Sequence, residues 1–176
     1  FYFPPLKKRY QRGDVVQTGV LLRPEIVKKV PTEGEHLLAY QRRSFPDRVR
    51  DALQSANIPV KIYGLGSRPA EGNLTFHEVD EQRFIDDLGS CRFLFSNAGN
   101  QLVGEAMYLG KPVLAIPEDN NFEQYVNAHY LRASGGGDWA DLKEFTGASV
   151  KHFMERLDTF SPNVPRERLN GTPLAI

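Results

Sequence analysis

The residues best suited to chemistry lie where an apolar run ends and a helical pattern begins. The run at 93–95 and the helical pattern at 101–109 are joined by small or polar residues: Ser96, Asn97, Ala98, Gly99 and Asn100. The first turn of a helix leaves backbone N–H groups unpaired and carries the positive end of the helix dipole. Ala98 and Gly99 would let a ligand approach that backbone, and Asn100 can cap the helix. The pattern predicts a diphosphate site at the helix N-terminus, with an ordinary capped turn as the alternative.

Glu105 is the second candidate, because it lies within the same predicted helix among apolar and small residues. A carboxylate at this place can accept two hydrogen bonds from the diol of a ribose, as acids do in nucleotide pockets. A solvent-exposed helical glutamate is the alternative interpretation.

The third candidate is the segment that follows the apolar run at 113–116. It is rich in acidic and amide side chains, namely Glu118, Asp119, Asn120, Asn121, Glu123 and Gln124. Such side chains suit a sugar, whose hydroxyl groups both donate and accept hydrogen bonds. The alternative is a solvated loop in which Asp119 or Asn120 caps the next helix.

Short apolar runs alternate with helical patterns, which predicts an α/β fold with a doubly wound parallel sheet. The predicted strands are 37–40, 60–63, 74–77, 93–95 and 113–116, and the predicted helices are 45–55, 81–88, 101–109 and 122–133. In an open parallel sheet, ligands bind beyond the carboxyl ends of the strands, near the point where the strand order reverses. The segments after the strands are therefore expected to meet at one edge.

The composition is that of one domain and excludes several partners. The chain has 176 residues, and its 22 Lys and Arg balance its 22 Asp and Glu, so no net field attracts nucleic acid. The single cysteine, Cys91, fits a reducing cytoplasm. No run of about 18 apolar residues is available to span a membrane, although the aromatic and basic residues at 1–10 leave peripheral contact with its inner face open.

Three segments are expected along the chain. Residues 1–34, rich in Lys, Arg and Pro, are interpreted as a linker with room for one strand, at the end of a missing N-terminal domain. Residues 35–160 would form the α/β domain, and 161–176, with several prolines, an extended tail. The chain has no initiator Met and no secretory leader, so we expect it to begin inside a longer protein.

Three blocks in order resemble the donor-site signature of GT-B glycosyltransferases: Ser96-Asn97-Ala98-Gly99-Asn100 with Glu105-Ala106, then Gly110-Lys111-Pro112 and the run to Pro117, then Glu123-Gln124 with Asn127-Ala128. The chain is similar to the glucuronosyl- and glucosyltransferases and to the N-acetylglucosaminyltransferase of peptidoglycan lipid synthesis. The resemblance implies that 35–160 is the Rossmann-like, nucleotide-sugar-binding C-terminal half of a GT-B fold.

The resemblance also implies a UDP-sugar as donor and a role for each candidate. Glu105 would bind the ribose, and uracil would be read by backbone atoms at Val79, with Glu78 and Asp80 beside it. The diphosphate would lie on the turn after the fourth predicted strand, at Asn97, Ala98, Gly99, Asn100 and Gln101. The sugar hydroxyls would bind the acids and amides after the fifth, at Glu118, Asp119, Glu123 and Gln124.

The chain departs from the family pattern beside the phosphate. Many relatives have His-Gly-Gly or Arg-Ser-Gly where this chain has Asn97-Ala98-Gly99, so a cation or strong donor is missing. Arg42 and Arg43, after the first predicted strand, are candidates to supply that charge. Two solvated arginines at a helix start are the alternative.

The implied reaction is transfer of a hexose-type sugar from UDP to an unknown acceptor, without a metal or other cofactor. Retaining GT-B enzymes tend to place two glutamates about two helical turns apart beyond the fifth strand. Glu118 would need its partner near Val126, which cannot serve, so inversion is expected. The base normally comes from the N-terminal half in this family. No catalytic residue is therefore assigned here, and the chain alone is expected to bind the donor without transferring sugar.

Other interpretations keep or change the fold. A nucleotide-sugar epimerase or hydrolase, or a binding module without catalysis, would have the same architecture. Gly64-Leu65-Gly66 is only half of a dinucleotide fingerprint, which disfavours an oxidoreductase. Asp86-Asp87, and Asp138 with Asp141, are not arranged to converge on a hard cation.

Overall fold

A seven-stranded sheet organises the protein in the computed structural model, which describes residues 18–42 and 44–175. The prediction for Arg43 lies outside the described residues. The strands are β1 (Leu37–Tyr40), β2 (Val60–Tyr63), β3 (Arg68–Glu71), β4 (Leu74–His77), β5 (Phe93–Ser96), β6 (Val113–Ala115) and β7 (Gly137–Trp139). Their order is β3-β4-β2-β1-β5-β6-β7, and every pairing is parallel except that of β3 with β4.

Helices cover both faces of this sheet. They are α1 (Pro24–Lys28), α2 (Asp47–Gln54), α3 (Glu81–Ser90), α4 (Asn100–Tyr108), α5 (Phe122–Ala133), α6 (Gly147–Glu155), α7 (Arg166–Leu169) and α8 (Thr172–Ala175), with a short 3-10 turn at Leu157–Thr159. Within the described ranges, no helix has both the length and the apolar character needed to cross a bilayer.

The predicted doubly wound α/β sheet is confirmed, and the predicted strands and helices are all present. The strand order reverses at β1, since β2 lies on one side of it and β5 on the other. Two strands were missed in the sequence. β3 is almost wholly exposed and contains Pro69, and β7 begins in the glycine run at 135–137, which reads as a chain break.

Alternate strand residues face opposite layers of the core. Leu38 packs with residues of α3, α4 and α5 on one face, whereas Leu37 and Ala39 pack with residues of α2 and α6 on the other. The strands are short and buried on both faces, which is why they read as continuous apolar runs rather than alternating ones.

The described part of the stretch interpreted as a linker, residues 18–34, packs onto the domain. Val20, Leu22 and Ile26 are buried, and Val20 bridges to Asn170. A Cβ on Gly104, in the middle of α4, would lie 2.4 Å from Val20 Cγ2, so this glycine allows the close approach. The apolar side chains of 20–26 thus extend the core. The tail contains α7 and α8, where the sequence predicted only an extended segment.

A buried charged network joins β2 to α3. Asp87 accepts hydrogen bonds from Lys61 Nζ and from the Tyr63 hydroxyl, each at 2.6 Å. Burial opposes ionisation of Asp87, but these two donors outweigh it and hold its pKa below the usual range. Burial, together with the bond to Asp87, raises the pKa of Tyr63. The network fixes α3 against the sheet rather than facing the cleft described below.

Candidate functional site

A cleft of about 1240 Å³ opens at the carboxyl edge of the sheet, where the strand order reverses. Its volume exceeds the roughly 300–1,000 Å³ of ordinary small-molecule sites, so an extended ligand fits. Most of the sequence-predicted site residues line it, namely Arg42, Val79, Asn97, Gly99, Asn100, Gln101, Glu105, Glu118, Glu123 and Gln124. The parallel sheet therefore brings together residues from four separate loops.

The turn between β5 and α4 presents backbone to this cleft. Gly99 is the N-cap of α4 and no side chain caps the helix there, so the expected cap at Asn100 is wrong. Gly99 is exposed, and a Cβ added to it would meet nothing within 4 Å. The turn is held from behind, because Asn127 Nδ2 donates to the carbonyl of Ala98 at 2.9 Å. The N-terminus of α4 is thus open to the cleft and rigidly backed.

Ala98 and Asn97 shape the turn, and of the two Asn97 lines the cleft. Ala98 is buried and has a φ of +61°, a conformation that usually favours glycine. Asn97 Nδ2 donates to the carbonyl of Ile116 at 3.0 Å, which ties the end of β5 to the segment after β6. One of the two amide hydrogens of Asn97 is therefore used in a bond within the protein.

Glu105 is buried in the cleft wall, with 1% of its side chain exposed, so the exposed-glutamate alternative is wrong. Arg23 grips its carboxylate with two hydrogen bonds, Nε to Oε1 at 2.9 Å and Nη2 to Oε2 at 2.7 Å. Gln101 Nε2 donates to Oε1 at 3.0 Å. The bond to Glu105 raises the pKa of Arg23 above its ordinary value. Arg23 lines the cleft and was missed because its segment was interpreted as a linker.

The acid and amide residues after β6 are partly engaged with each other. Gln124 accepts from the backbone N–H of Glu118 at 2.7 Å and donates to its Oε2 at 3.3 Å. Asn121 caps α5 by accepting from the N–H of Gln124, so neither Asp119 nor Asn120 is the cap. Glu118 and Gln124 form a linked pair on the cleft wall. Asp119 instead lines an adjoining cavity of about 340 Å³.

The segment after β4 contributes one residue to the cleft. Val79 is 61% exposed and lines the cleft. Its apolar side chain can contact a flat ring of a ligand. Its neighbours have structural roles instead. Asp80 caps α3 by accepting from the N–H of Arg83 at 2.8 Å, and Glu78 accepts from the N–H of Ser67 at 3.0 Å. Glu78 and Asp80 are not among the residues that line the cleft.

Two alternative chemistries find no support in the described part of the chain. Gly64-Leu65-Gly66 leads into strand β3 rather than into a helix, which removes the dinucleotide interpretation. Among the described residues, no cluster of three or more His, Cys, Asp or Glu side chains could hold a metal ion.

Arg42 lines the cleft and is exposed to solvent.

The family model for Glycosyl transferase family 1 matches residues 1–158. The chain belongs to this family. No curated protein sequence matches the chain significantly.

Solved structures of glycosyltransferases share this fold. The glycotransferase of kitacinnamycin matches with a TM-score of 0.60 and 15% identity, over 99% of this chain and 47% of that one. CalG4, the calicheamicin glycosyltransferase, matches with a TM-score of 0.56 and 22% identity, over 86% and 39%. The spinosyn forosaminyltransferase SpnP matches with a TM-score of 0.55 and 20% identity, over 81% and 39%. The chain spans less than half the length of each of these proteins.

Membership of Glycosyl transferase family 1 confirms the GT-B resemblance, and the sheet agrees with one Rossmann-like half of that fold. The narrower similarity to the peptidoglycan and glucuronosyl enzymes has no support beyond the sequence blocks. Parts of the first and third blocks that carried the resemblance line the cleft, on the turn before α4, on α4 itself and at the start of α5, whereas no residue of the middle block does.

Proposed function

We propose that this chain is the donor-binding part of a glycosyltransferase that takes a sugar from UDP and transfers it with inversion, without a metal. The proposal rests above all on the N-terminus of α4, which lacks a side-chain cap and opens onto the cleft beside an exposed Gly99. The remaining roles are those that the resemblance implies for residues of the cleft.

The diphosphate would lie against Gly99, Asn100 and Gln101. Unpaired N–H groups at a helix N-terminus favour anions. When the bond from sugar to phosphate breaks, negative charge grows on the leaving diphosphate, and dipoles already oriented towards it stabilise that charge. These amides could do the work for which other enzymes use a divalent metal. Arg42 lies on the same cleft wall and could add a positive charge.

The ribose would bind Glu105 and the uracil would lie along Val79. Glu105 is buried on α4, about one turn beyond the proposed phosphate site, which is the spacing between the diphosphate and the ribose of a nucleotide. The sugar would bind the pair formed by Glu118 and Gln124, with Glu123 at the rim.

Inversion is proposed because no second glutamate stands where a retaining enzyme would need one. The residue eight positions after Glu118, a separation of about two helical turns, is Val126 on α5, which cannot act as an acid or a nucleophile. The catalytic base would come from the remainder of the protein. The chain alone should therefore bind the donor nucleotide and transfer no sugar.

Calorimetry with UDP tests the proposal, using the wild type and Gly99→Val. A Cβ here would meet no protein atom within 4 Å, so the methyl groups of a valine have room to extend into the proposed phosphate site. Gly99 has an extended backbone, with φ −64° and ψ 126°, which valine adopts readily, so the fold should be kept, with a modest loss of stability because valine is a poorer N-cap than glycine. We expect UDP binding to weaken at least about ten-fold, a change of roughly 1.4 kcal/mol.

Ala148→Val is the matched control, since it also adds bulk in the first turn of a helix, on an exposed position of α6 away from the cleft. It should bind UDP as the wild type does. Equal binding of UDP by the wild type and Gly99→Val would refute the placement of the diphosphate at this turn. Product analysis with the full-length protein tests the reaction itself, since an epimerase or hydrolase would consume UDP-sugar without any acceptor.

A further inference from the structure

Arg23 occupies the side of Glu105 that a ribose diol would use. A guanidinium fork binds a carboxylate through two parallel hydrogen bonds, one to each oxygen, along the lone pairs that point in the same direction. Arg23 binds in this way, at 2.9 Å and 2.7 Å. Two neighbouring ribose hydroxyls would approach a carboxylate along the same two lone pairs. A guanidinium fork and a vicinal diol therefore cannot both be bound there.

The remaining acceptor capacity of Glu105 is too small to avoid this conflict. A carboxylate offers about four lone-pair sites. Among the residues that the structure describes, Arg23 uses one on each oxygen and Gln101 uses a second one on Oε1, which leaves a single site on Oε2. One hydroxyl could bind at that site, whereas a diol gripping both oxygens needs Arg23 to leave.

The structure provides Arg23 with another partner. Its Nη1 also donates to Glu81 Oε1 at 3.0 Å, and Glu81 is largely exposed, so this second bond can persist after the first is broken. The side chain of Arg23 is itself 32% exposed and can turn towards water. The guanidinium of Arg23 therefore keeps an acidic partner and contact with water after it leaves Glu105.

The backbone around Arg23 is anchored, so that only its side chain would have to move. Leu22 bonds through its N–H to Thr172 Oγ1 at 3.1 Å, and Gln101 Nε2 donates to the carbonyl of Leu21 at 2.7 Å. Val20 is buried against Gly104. The segment thus holds the guanidinium at the entrance to the proposed ribose site without relying on the side chain for its own position.

We propose that Arg23 competes with the ribose for Glu105, and that donor binding releases the guanidinium from Glu105 and leaves it paired with Glu81 alone. Arg23 thereby sets both the affinity for the nucleotide and its preference for a ribose over a deoxyribose. This inference rests on the proposed function, since it takes Glu105 to be the ribose ligand. A nucleotide with only one ribose hydroxyl uses the vacant site on Oε2 and leaves the pair intact.

Calorimetry with UDP and 2′-deoxy-UDP tests the competition in the wild type and in Arg23→Lys. Lysine keeps a positive charge beside the buried carboxylate, so the fold is retained, but it cannot form the two-pronged contact. UDP should bind Arg23→Lys about ten-fold more tightly, as the loss of one competing charge-assisted hydrogen bond implies. Binding of 2′-deoxy-UDP should change little, so the preference for UDP should rise by about the same factor.

Two further variants separate this mechanism from a general charge effect. Arg50→Lys makes the same chemical change in an arginine that pairs with Asp47 and Asp51 on α2, and both affinities should stay at wild-type values. Glu81→Gln removes the partner that would receive the displaced guanidinium, so UDP should bind more weakly.

The results distinguish the inference from the proposed function. If the wild type and Arg23→Lys both bind UDP, but Arg23→Lys binds both nucleotides more weakly, Arg23 holds the donor itself and the competition is overturned. An unchanged preference for UDP over 2′-deoxy-UDP in Arg23→Lys overturns it as well. If neither protein binds UDP, the proposed function fails and this inference fails with it.

Discussion

Replacing Glu105 with glutamine tests the part of the site that the structure defines best. The substitution keeps the size of the side chain and removes its charge. In the wild type this carboxylate has 1% of its surface exposed and accepts two bonds from Arg23 and one from Gln101. Glutamine has one acceptor oxygen in place of two, so it can satisfy Arg23 only in part and cannot grip a diol.

Two effects of different size are expected. Breaking a fully buried ion pair costs about 3–5 kcal/mol, chiefly because a charge is left unpaired. Arg23 is 32% exposed and keeps Glu81, so the loss of folding stability should be about 1–2 kcal/mol, or about 2–8 °C in Tm for a domain of this size. A hydrogen bond to a charged group contributes about 1.5–3 kcal/mol, which predicts UDP binding weakened about 10- to 150-fold.

Thermal denaturation and calorimetry with UDP measure the two effects separately. Glu155→Gln makes the same change on an exposed position of α6 and should leave both values at those of the wild type. If Glu105→Gln is destabilised as expected but binds UDP with unchanged affinity, Glu105 has a structural role only and the assignment of the ribose site is refuted.

Three other substitutions or treatments test the packing of the domain. Asp87 has a pKa below its usual range, so its contribution to folding stability is present above about pH 4 and is lost as the pH falls through its folded-state pKa. Asp87→Asn removes this contribution. The difference between the urea midpoints measured at pH 7 and at pH 3 should therefore be smaller in the variant than in the wild type. Burial raises the pKa of Cys91 to about 12, so a thiol reagent at pH 8 should label it only after denaturant is added. Gly104→Ala places a Cβ against Val20 and should lower stability by about 1–3 kcal/mol in thermal denaturation, whereas unchanged stability would mean that the segment at 20–23 does not pack as described.

The sheet was predictable because its strands are short and buried on both faces. Runs such as 93–95 and 113–116 stand out from the polar helices between them, and parallel topology then places their following loops at one edge. The cleft lies there, and Gly99, Glu105 and Gln124 line it. These residues could be picked out because each lies in the segment or helix that follows a predicted strand.

Details that depend on partners distant in the chain were not predictable. Arg23 and Glu105 are 82 positions apart, and nothing local to either residue indicates that they meet. The same holds for Asn127, which reaches the carbonyl of Ala98 from 29 positions away. Strand β3, exposed and carrying Pro69, lacks the burial that makes a strand visible in a sequence.

The sequence by itself determined the order of five strands and four helices and the residues that follow each of those strands, because burial leaves apolar runs in the strands and a periodic apolar pattern in the helices. Only the tertiary structure decided how those residues are used: Gly99 rather than Asn100 ends the turn, Gln124 pairs with Glu118, and Glu105 is held by Arg23. Hydrogen bonds and ion pairs depend on separations of about 3 Å. Such separations are fixed by the packing of segments far apart in the chain, and no local pattern records them.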